Sequence, residues 1–272
     1  MNNYFPPFTI TNTMVDRISS IMKKIGKLEN YQDLNKMPIL RRNNRIQSIH
    51  SSLSIEANSL SLEQVKDIID GKIVIGPKNE IQEVQNAYNE YLKIKEVNPY
   101  SLKDLKMIHG ILTYLTVKNS GNFRIGGEGI FDEKGNCIFV CPPAEQVGIL
   151  MEQLFSWIKE KKDEIHPLIL SSIFHYEFVF IHPFNDGNGR TARLWQNVIL
   201  SNWEEIFEYV PIESEIMKYQ NDYYKTIQNC NNNGKSTEFI EFMLKMIDEV
   251  LDNVLEKVNI QINHTSKYIK KY

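Results

Sequence analysis

The chain has 272 residues, 42% hydrophobic and 24% charged, an ordinary globular composition with enough apolar residues for a sizeable core in one large domain or two intimate ones. A formal net charge of −3 and a pI near 6.1 argue against a nucleic-acid partner. His175 and Glu177 interrupt the longest apolar run, so no membrane span is expected; Met1 to Pro7 lacks the basic and apolar regions of a signal peptide, and three cysteines fit a reducing, cytoplasmic setting.

In chain order, residues 1–10 form an extended arm containing Pro6 and Pro7. Met14, Ile18, Ile21, Met22, Ile25 and Leu28 fall at helical spacing over residues 11–29. A polar break runs from Asn30 to Pro38, and a second helix begins at Ile39 with Arg41, Arg42 and Arg45, which read as a solvated face. Near residue 58 that helix ends. Ser61 then caps a new one, with Gln64 closing a capping box. Ser52 and Glu56, four apart, point the same way, and the capping argument leaves them unexplained. Helical spacing continues over 63–97, divided by a turn from Gly71 to Pro77. Ser101 caps the next helix, whose His109 reads as a buried, hydrogen-bonded histidine rather than a catalytic one.

The convincing β stretch is Asn119 to Pro143. Ile130-Phe131 and Cys137 to Val140 flank the polar turn Asp132 to Asn136, which predicts a hairpin that must lie on other structure. Cys137 and Cys141 read as small apolar residues, because no second pair or nearby histidines complete a zinc set. Helices follow over Ala144 to Lys161 and from Pro167 to His182, the latter almost wholly apolar and therefore the buried spine. Another opens at the loop after His182, and Trp203 to Pro211 is a connection. Glu213 to Asn229 reads as one helix, Asn231 to Gly234 as a turn, Thr237 to Val258 as a closing amphipathic helix, and the basic stretch from Lys267 as a frayed tail. The class is all-α with a small β-hairpin.

The segment His182-Pro183-Phe184-Asn185-Asp186-Gly187-Asn188-Gly189-Arg190-Thr191-Ala192-Arg193 joins two buried helices, with a composition that a structural connection does not need. Gly187 and Gly189 let backbone N–H groups turn toward one point at a helix N-terminus, an anion site. Arg190 and Arg193, three apart, add charge to the same pocket. His182 can accept a proton near neutral pH, and Asp186 offers the hard oxygen that a Mg²⁺ bridging phosphates requires. These parts compose a site for phosphate transfer.

This segment resembles the signature of the Fic family, His-x-Phe-x-Asp/Glu-Gly-Asn-Gly-Arg-x-x-Arg, at every constrained position. The resemblance implies a Fic-type helical domain with the hairpin as a flap over the active site, and transfer of AMP from ATP to a Ser, Thr or Tyr hydroxyl of a protein. His182 would be the general base. Asp186 would hold Mg²⁺ (or Mn²⁺), the N–H groups of Gly187, Asn188 and Gly189 would cradle phosphates, Arg190 would steady the β-phosphate and Arg193 the γ-phosphate. Gly121-Asn122-Phe123-Arg124 matches the segment that precedes the flap, along which a target protein would dock by strand addition. Ile130 would lie near the adenine or serve simply as an apolar hairpin residue. Tyr223, Tyr224 and Asn231 resemble the family's adenine border, although two tyrosines on a helix also suit a core.

Ser52 and Glu56 match the family's inhibitory Ser/Thr-x-x-x-Glu-Gly/Asn helix, which implies a pair between Glu56 and Arg193 that competes with the γ-phosphate. Ala57 departs from the usual Gly or Asn, which puts the helix-end geometry in question. The implied organisation is an N-terminal helical region, 1–97, carrying the inhibitory helix at about 46–58, a catalytic core, 98–260, with the flap at 124–141, and a tail, 261–272. Relatives also pair and modify themselves, so a homo-oligomer is a further expectation. The same residues would serve a transferase of another phosphate-containing group, a de-AMPylase, or a nucleotide-responsive binding protein.

Overall fold

A computed structural model of the chain describes residues 4–30, 37–131 and 137–269. The expected polar break over 31–36 and the hairpin turn over 132–136 lie outside the described residues. The remainder is helical: α1 (Asn12–Asn30), α2 (Pro38–Ile55), α3 (Leu62–Ile69), α4 (Lys78–Tyr91), α5 (Leu102–Leu112), α6 (Ala144–Lys161), α7 (Pro167–Ile181), α8 (Asn188–Trp203), α9 (Ile212–Lys218), α10 (Gln220–Asn233) and α11 (Thr237–Ile269). Strands β1 (Gly129–Phe131) and β2 (Cys137–Val140) pair antiparallel, with Ile130 opposite Phe139, and a register shift follows Ile130.

Helix starts follow their caps. The Ser61 hydroxyl accepts from Gln64 N–H while the Gln64 side chain accepts from Ser61 N–H, completing the capping box of α3. Ser101 caps α5 through Asp104 N–H. Pro38 and Pro167 open α2 and α7, where the missing N–H costs no helical bond. Helix α7 is buried from Leu168 through Val179 and packs against α6, α8 and α11, so it is the spine around which the domain closes. Trp195 of α8 is fully buried between Phe155 and Phe174, and its indole N–H donates to the Pro99 carbonyl at 3.0 Å. The N-terminal arm lies on this core: Tyr4 donates to Glu177 at 2.6 Å, and Ser236 N–H donates to the Pro7 carbonyl at 2.9 Å.

Three boundaries differ from the sequence reading. The helix expected over Glu213 to Asn229 is two, α9 and α10, because Tyr219 leaves helical geometry at φ −110° and ψ 32°. Asn231 is not in a turn but in the last turn of α10, which Gly234 ends in the left-handed conformation at φ 63°. Helix α11 runs to Ile269 rather than Val258, so the expected frayed tail is helical as far as residue 269, and residues 270–272 lie outside the described residues.

The C-terminus of α2 resolves the question raised by Ala57. Asn58 N–H donates to the Leu53 carbonyl and Ala57 N–H to the Ser54 carbonyl, both at 3.1 Å, which is a Schellman cap. Such a cap places its C′ residue in the left-handed region, and Ala57 occupies it at φ 65°. An alanine Cβ crowds the backbone there by about 1–2 kcal/mol. Replacing Ala57 with glycine is therefore expected to stabilise the protein by about 1 kcal/mol in urea unfolding; a loss of stability would contradict the cap.

Candidate active site

The loop between α7 and α8 is built on two left-handed residues. His182 ends α7 at φ 50° with its N–H on the Phe178 carbonyl, which turns the chain away from the spine. Gly187 precedes α8 at φ 79°. A Cβ on Gly187 would meet Thr113 Cγ2 at 2.9 Å, so both the turn and the space require glycine. Directly after Gly187, Asn188 folds its side chain back on the loop, accepting from Phe184 N–H at 2.9 Å and donating to the Phe184 carbonyl at 2.7 Å. The Phe184 ring, fully buried, stacks on His109 with centroids 3.5 Å apart. The loop is thus held in shape from inside.

Asp186 points outward, its side chain 62% exposed, and Arg190 approaches it at 3.6 Å. Gly187 N–H already donates to the Asp186 carboxylate at 2.6 Å. The first in-helix bond of α8 runs from Thr191 N–H to the Gly187 carbonyl. The N–H groups of Asn188, Gly189 and Arg190 come before it, as the open donors of a helix start do. A Cβ on Gly189 would collide with the Glu56 carboxylate, so the glycine leaves room for an oxyanion at that helix start.

That oxyanion is supplied by the chain itself. Glu56, the residue after α2, pairs with Arg193 at 2.8 Å. Arg193 Nε donates to the Ser52 hydroxyl at 3.1 Å and its Nη2 to the Ser52 carbonyl at 3.0 Å. Arg190 is engaged as well: Glu83 of α4 accepts from its Nη1 at 3.0 Å and from Asn58 Nδ2 at 2.9 Å. Both arginines of the loop are therefore met by carboxylates from N-terminal helices.

The expected base is held at the end of α7. Burial lowers the pKa of His182, against the Val179 backbone, which favours the protonated ring, so the imidazole is neutral near pH 7 and able to accept a proton. Arg124 fixes its backbone. The buried guanidinium donates to the carbonyls of His182 at 2.7 Å, Gly126 at 2.9 Å and Pro142, while Arg124 N–H donates to the Pro183 carbonyl at 2.9 Å. One cation thereby ties the base of the flap to the C-terminal carbonyls of α7, where positive charge is favoured.

His109 does comparable work below the loop. Gly121 N–H donates to its Nδ1 at 3.0 Å, so its proton is on Nε2, which donates to the Asp186 carbonyl at 2.9 Å. Burial pushes its pKa down to about 4.

The remaining expected residues are placed unequally. Tyr224, half exposed, donates to the Ile55 carbonyl at 3.4 Å and so borders the end of α2 beside Glu56. Tyr223 is core, its hydroxyl 2.9 Å from His175 Nε2. Asn231 accepts from Tyr176 at 3.0 Å. The backbone of Ile130 is in β1, and its side chain lies outside what the structure describes.

An apolar spine that ends at His182, followed by a glycine-bounded helix start and two buried arginines, defines a helical domain of the Fic type. A Fic/DOC family model matches residues 99–200. A Fic family protein from Desulfovibrio desulfuricans G20 superposes with a TM-score of 0.89 at 41% identity, covering 93% of this chain and 77% of that one. Fic-1 from C. elegans shares the fold at a TM-score of 0.69 and 22% identity, over 89% of this chain and 73% of that one. The chain belongs to the Fic family. It is also 31% identical over 222 residues to protein adenylyltransferase Fic from Aedes aegypti, covering 76% of this chain and 41% of the relative. To the Drosophila mojavensis protein of the same name it is 28% identical, over 87% of this chain and 46% of the relative. The chain thus spans less than half the length of these curated relatives.

Glu83 and the positioning roles of Arg124 and His109 were not assigned from sequence. Each acts through partners distant along the chain, and only the Gly-x-Phe-Arg match offered a signal, at Arg124. The depressed pKa of His109 has a measurable consequence. The unfolded state binds a proton on this residue below about pH 6.5 while the folded state resists down to about pH 4, so its stabilising contribution falls as the solution is acidified across that window. The stability gap between the parent and His109→Gln is expected to shrink by about 2 kcal/mol from pH 7 to pH 4.5. A gap independent of pH would refute the assignment.

Proposed function

We propose that the protein transfers AMP from ATP to a hydroxyl group of a target protein, itself among the acceptors, and that Glu56 restrains this activity. The observation that carries the reading is the pairing of Glu56 with Arg193 above the glycine cup at the start of α8. A carboxylate held where a phosphate oxygen would sit marks the cup as an oxyanion site, and marks Glu56 as the competitor for it.

In this reading His182 takes the proton of the attacking hydroxyl. The oxygen forms a bond to the α-phosphorus, the bond between the α- and β-phosphates breaks, and pyrophosphate leaves. The N–H groups at the start of α8, with Arg190 and Arg193, stabilise the charge that develops on the phosphate oxygens. Arg193 is available to the γ-phosphate once Glu56 withdraws, and Arg190 to the β-phosphate once Glu83 yields. Tyr224, Ile130 and Asn231 are proposed to border the adenine.

The cation is proposed as Mg²⁺ or Mn²⁺ on Asp186. No group of three or more His, Cys, Asp or Glu side chains that could hold a metal ion occurs among the described residues. One outward carboxylate suits an ion that takes its other ligands from phosphates and water, so the residues fit. When bound, such an ion supplies charge neutralisation on the phosphates. The flap strand β2 leaves an edge along which an extended target segment can add. Among the described residues no helix is long and apolar enough to cross a membrane, and a cytoplasmic location is proposed from the composition. Self-association is a further proposal, drawn from the family resemblance.

Label from α-³²P-ATP, but not from γ-³²P-ATP, is expected to enter protein in a Glu56→Gly variant, at least about tenfold above the parent, equivalent to relief of about 1.4 kcal/mol of competition. Adding His182→Ala is expected to reduce this by about 10²-fold or more. Failure of the Glu56→Gly variant to incorporate any label with Mg²⁺ or Mn²⁺ would overturn the proposal.

A further inference from the structure

The first two turns of α2 carry cations that the site after α7 does not use. Of the expected solvated face, Arg42 is exposed while Arg41 and Arg45 are partly covered. All three line a cavity of about 220 Å³ with Ile69, Tyr88 and Tyr209, contributed by α3, α4 and the segment before α9. The Arg41 guanidinium lies over the Tyr209 ring, 4.7 Å from its centroid, which stiffens one wall. Arg42 pairs with Asp70 at the end of α3. Arg45 has no ion pair among the described residues. Glu208, beside Tyr209, is already held by Lys95 at 2.9 Å.

Arg45 lines this cavity with no carboxylate against its charge among the described residues, and an anion in the cavity would balance that charge. The cavity is several times the roughly 30 Å³ of one water and smaller than the 300 Å³ or so at which pockets for drug-sized ligands begin. Its polar lining is guanidinium and phenol, which favours an anion. Arginine forks match the oxygens of phosphate, and the tyrosine rings offer flat apolar surface to a small attached group.

We propose that this cavity is a second anion site that binds a small phosphate-bearing molecule, with Arg42 and Arg45 on the phosphate oxygens and Tyr88 and Tyr209 against the remainder. Arg45 is eleven residues before Glu56, about 16 Å along the same helix. A ligand wedged between α2, α4 and Tyr209 stabilises α2 where it stands, and with it the carboxylate at its far end. This last consequence rests on the reading of Glu56 above; the existence of the site does not.

The test needs neither ATP turnover nor label. Inorganic phosphate and glycerol 3-phosphate are titrated separately into the 272-residue protein at constant ionic strength, with calorimetry and thermal unfolding as readouts. Saturable binding is expected in the parent. Arg45→Ala should weaken it at least tenfold and the half-exposed Arg42→Ala at least threefold, while the thermal shift with MgATP stays unchanged in both. Tighter binding of glycerol 3-phosphate would identify a phosphomonoester as the ligand class, and equal binding would identify phosphate itself. Equal affinity in the parent and Arg45→Ala would overturn the proposal, since binding would then belong to the cup at α8. So would an equal shift with matched chloride, or no binding in the parent at millimolar concentration. Should Arg45→Ala fail to fold, unchanged affinity in Arg42→Ala decides against the site.

Discussion

A guanidinium buried in the protein interior is costly unless acceptors or an anion meet it, and Arg193 sets that requirement at the centre of this structure. Its side chain is 1% exposed, and Glu56, 34% exposed, meets it. Burial works against the charge on Arg193 while Glu56 holds it in place. Removing one member of such a pair leaves a stranded charge, typically at about 3–5 kcal/mol. The fold therefore cannot simply release Glu56; another anion must take its place. A nucleotide phosphate is such an anion, and the open amides at the start of α8 already face the same point. In the proposed function, inhibition and substrate binding are two occupancies of one pocket.

The elements around this pocket follow from the same constraint. Helix α7 delivers His182 from a spine buried on all sides, and the left-handed turn at that residue takes the chain out of the core. Asn188, Phe184 and His109 keep the loop rigid so that its amides stay pointed at one place. Arg124 ties the flap to the last carbonyls of α7, so the surface proposed to receive a target moves with the base. On the opposite side Glu83 couples Arg190 to Asn58, the residue that completes the cap of α2. Disturbing the end of α2 thus reaches both arginines together.

Much of this was legible in the sequence because its signals are local. The loop from His182 to Arg193 stood out as a candidate site through the spacing of its glycines and arginines, and the capping box at Ser61 and Gln64 located a helix start to the residue. The alignment of Ser52 with Glu56 was visible as a four-residue interval, though its partner came from resemblance rather than from the interval. Signals between distant residues were not legible. Glu83 lies in a helix whose pattern gives no reason to single it out, and its meeting with Arg190 depends on how α4 packs. The break at Tyr219 was missed because no glycine or proline marks it; the chain turns there to keep α9 and α10 both against the core. The reading of Arg41, Arg42 and Arg45 as a solvated face held for Arg42 only, since Tyr88 and Tyr209 line the same cavity as Arg41 and Arg45 and partly cover them.

The claim that Arg193 is shared between Glu56 and a phosphate is tested most directly by a double-mutant cycle on nucleotide affinity. ATP dissociation constants would be measured by calorimetry for the parent, Glu56→Gly, Arg193→Ala and the double variant. If one guanidinium serves both anions, Glu56→Gly strengthens ATP binding when Arg193 is present and has little effect when it is absent, so the two changes are strongly non-additive. Equal gains from Glu56→Gly in both backgrounds would contradict the account.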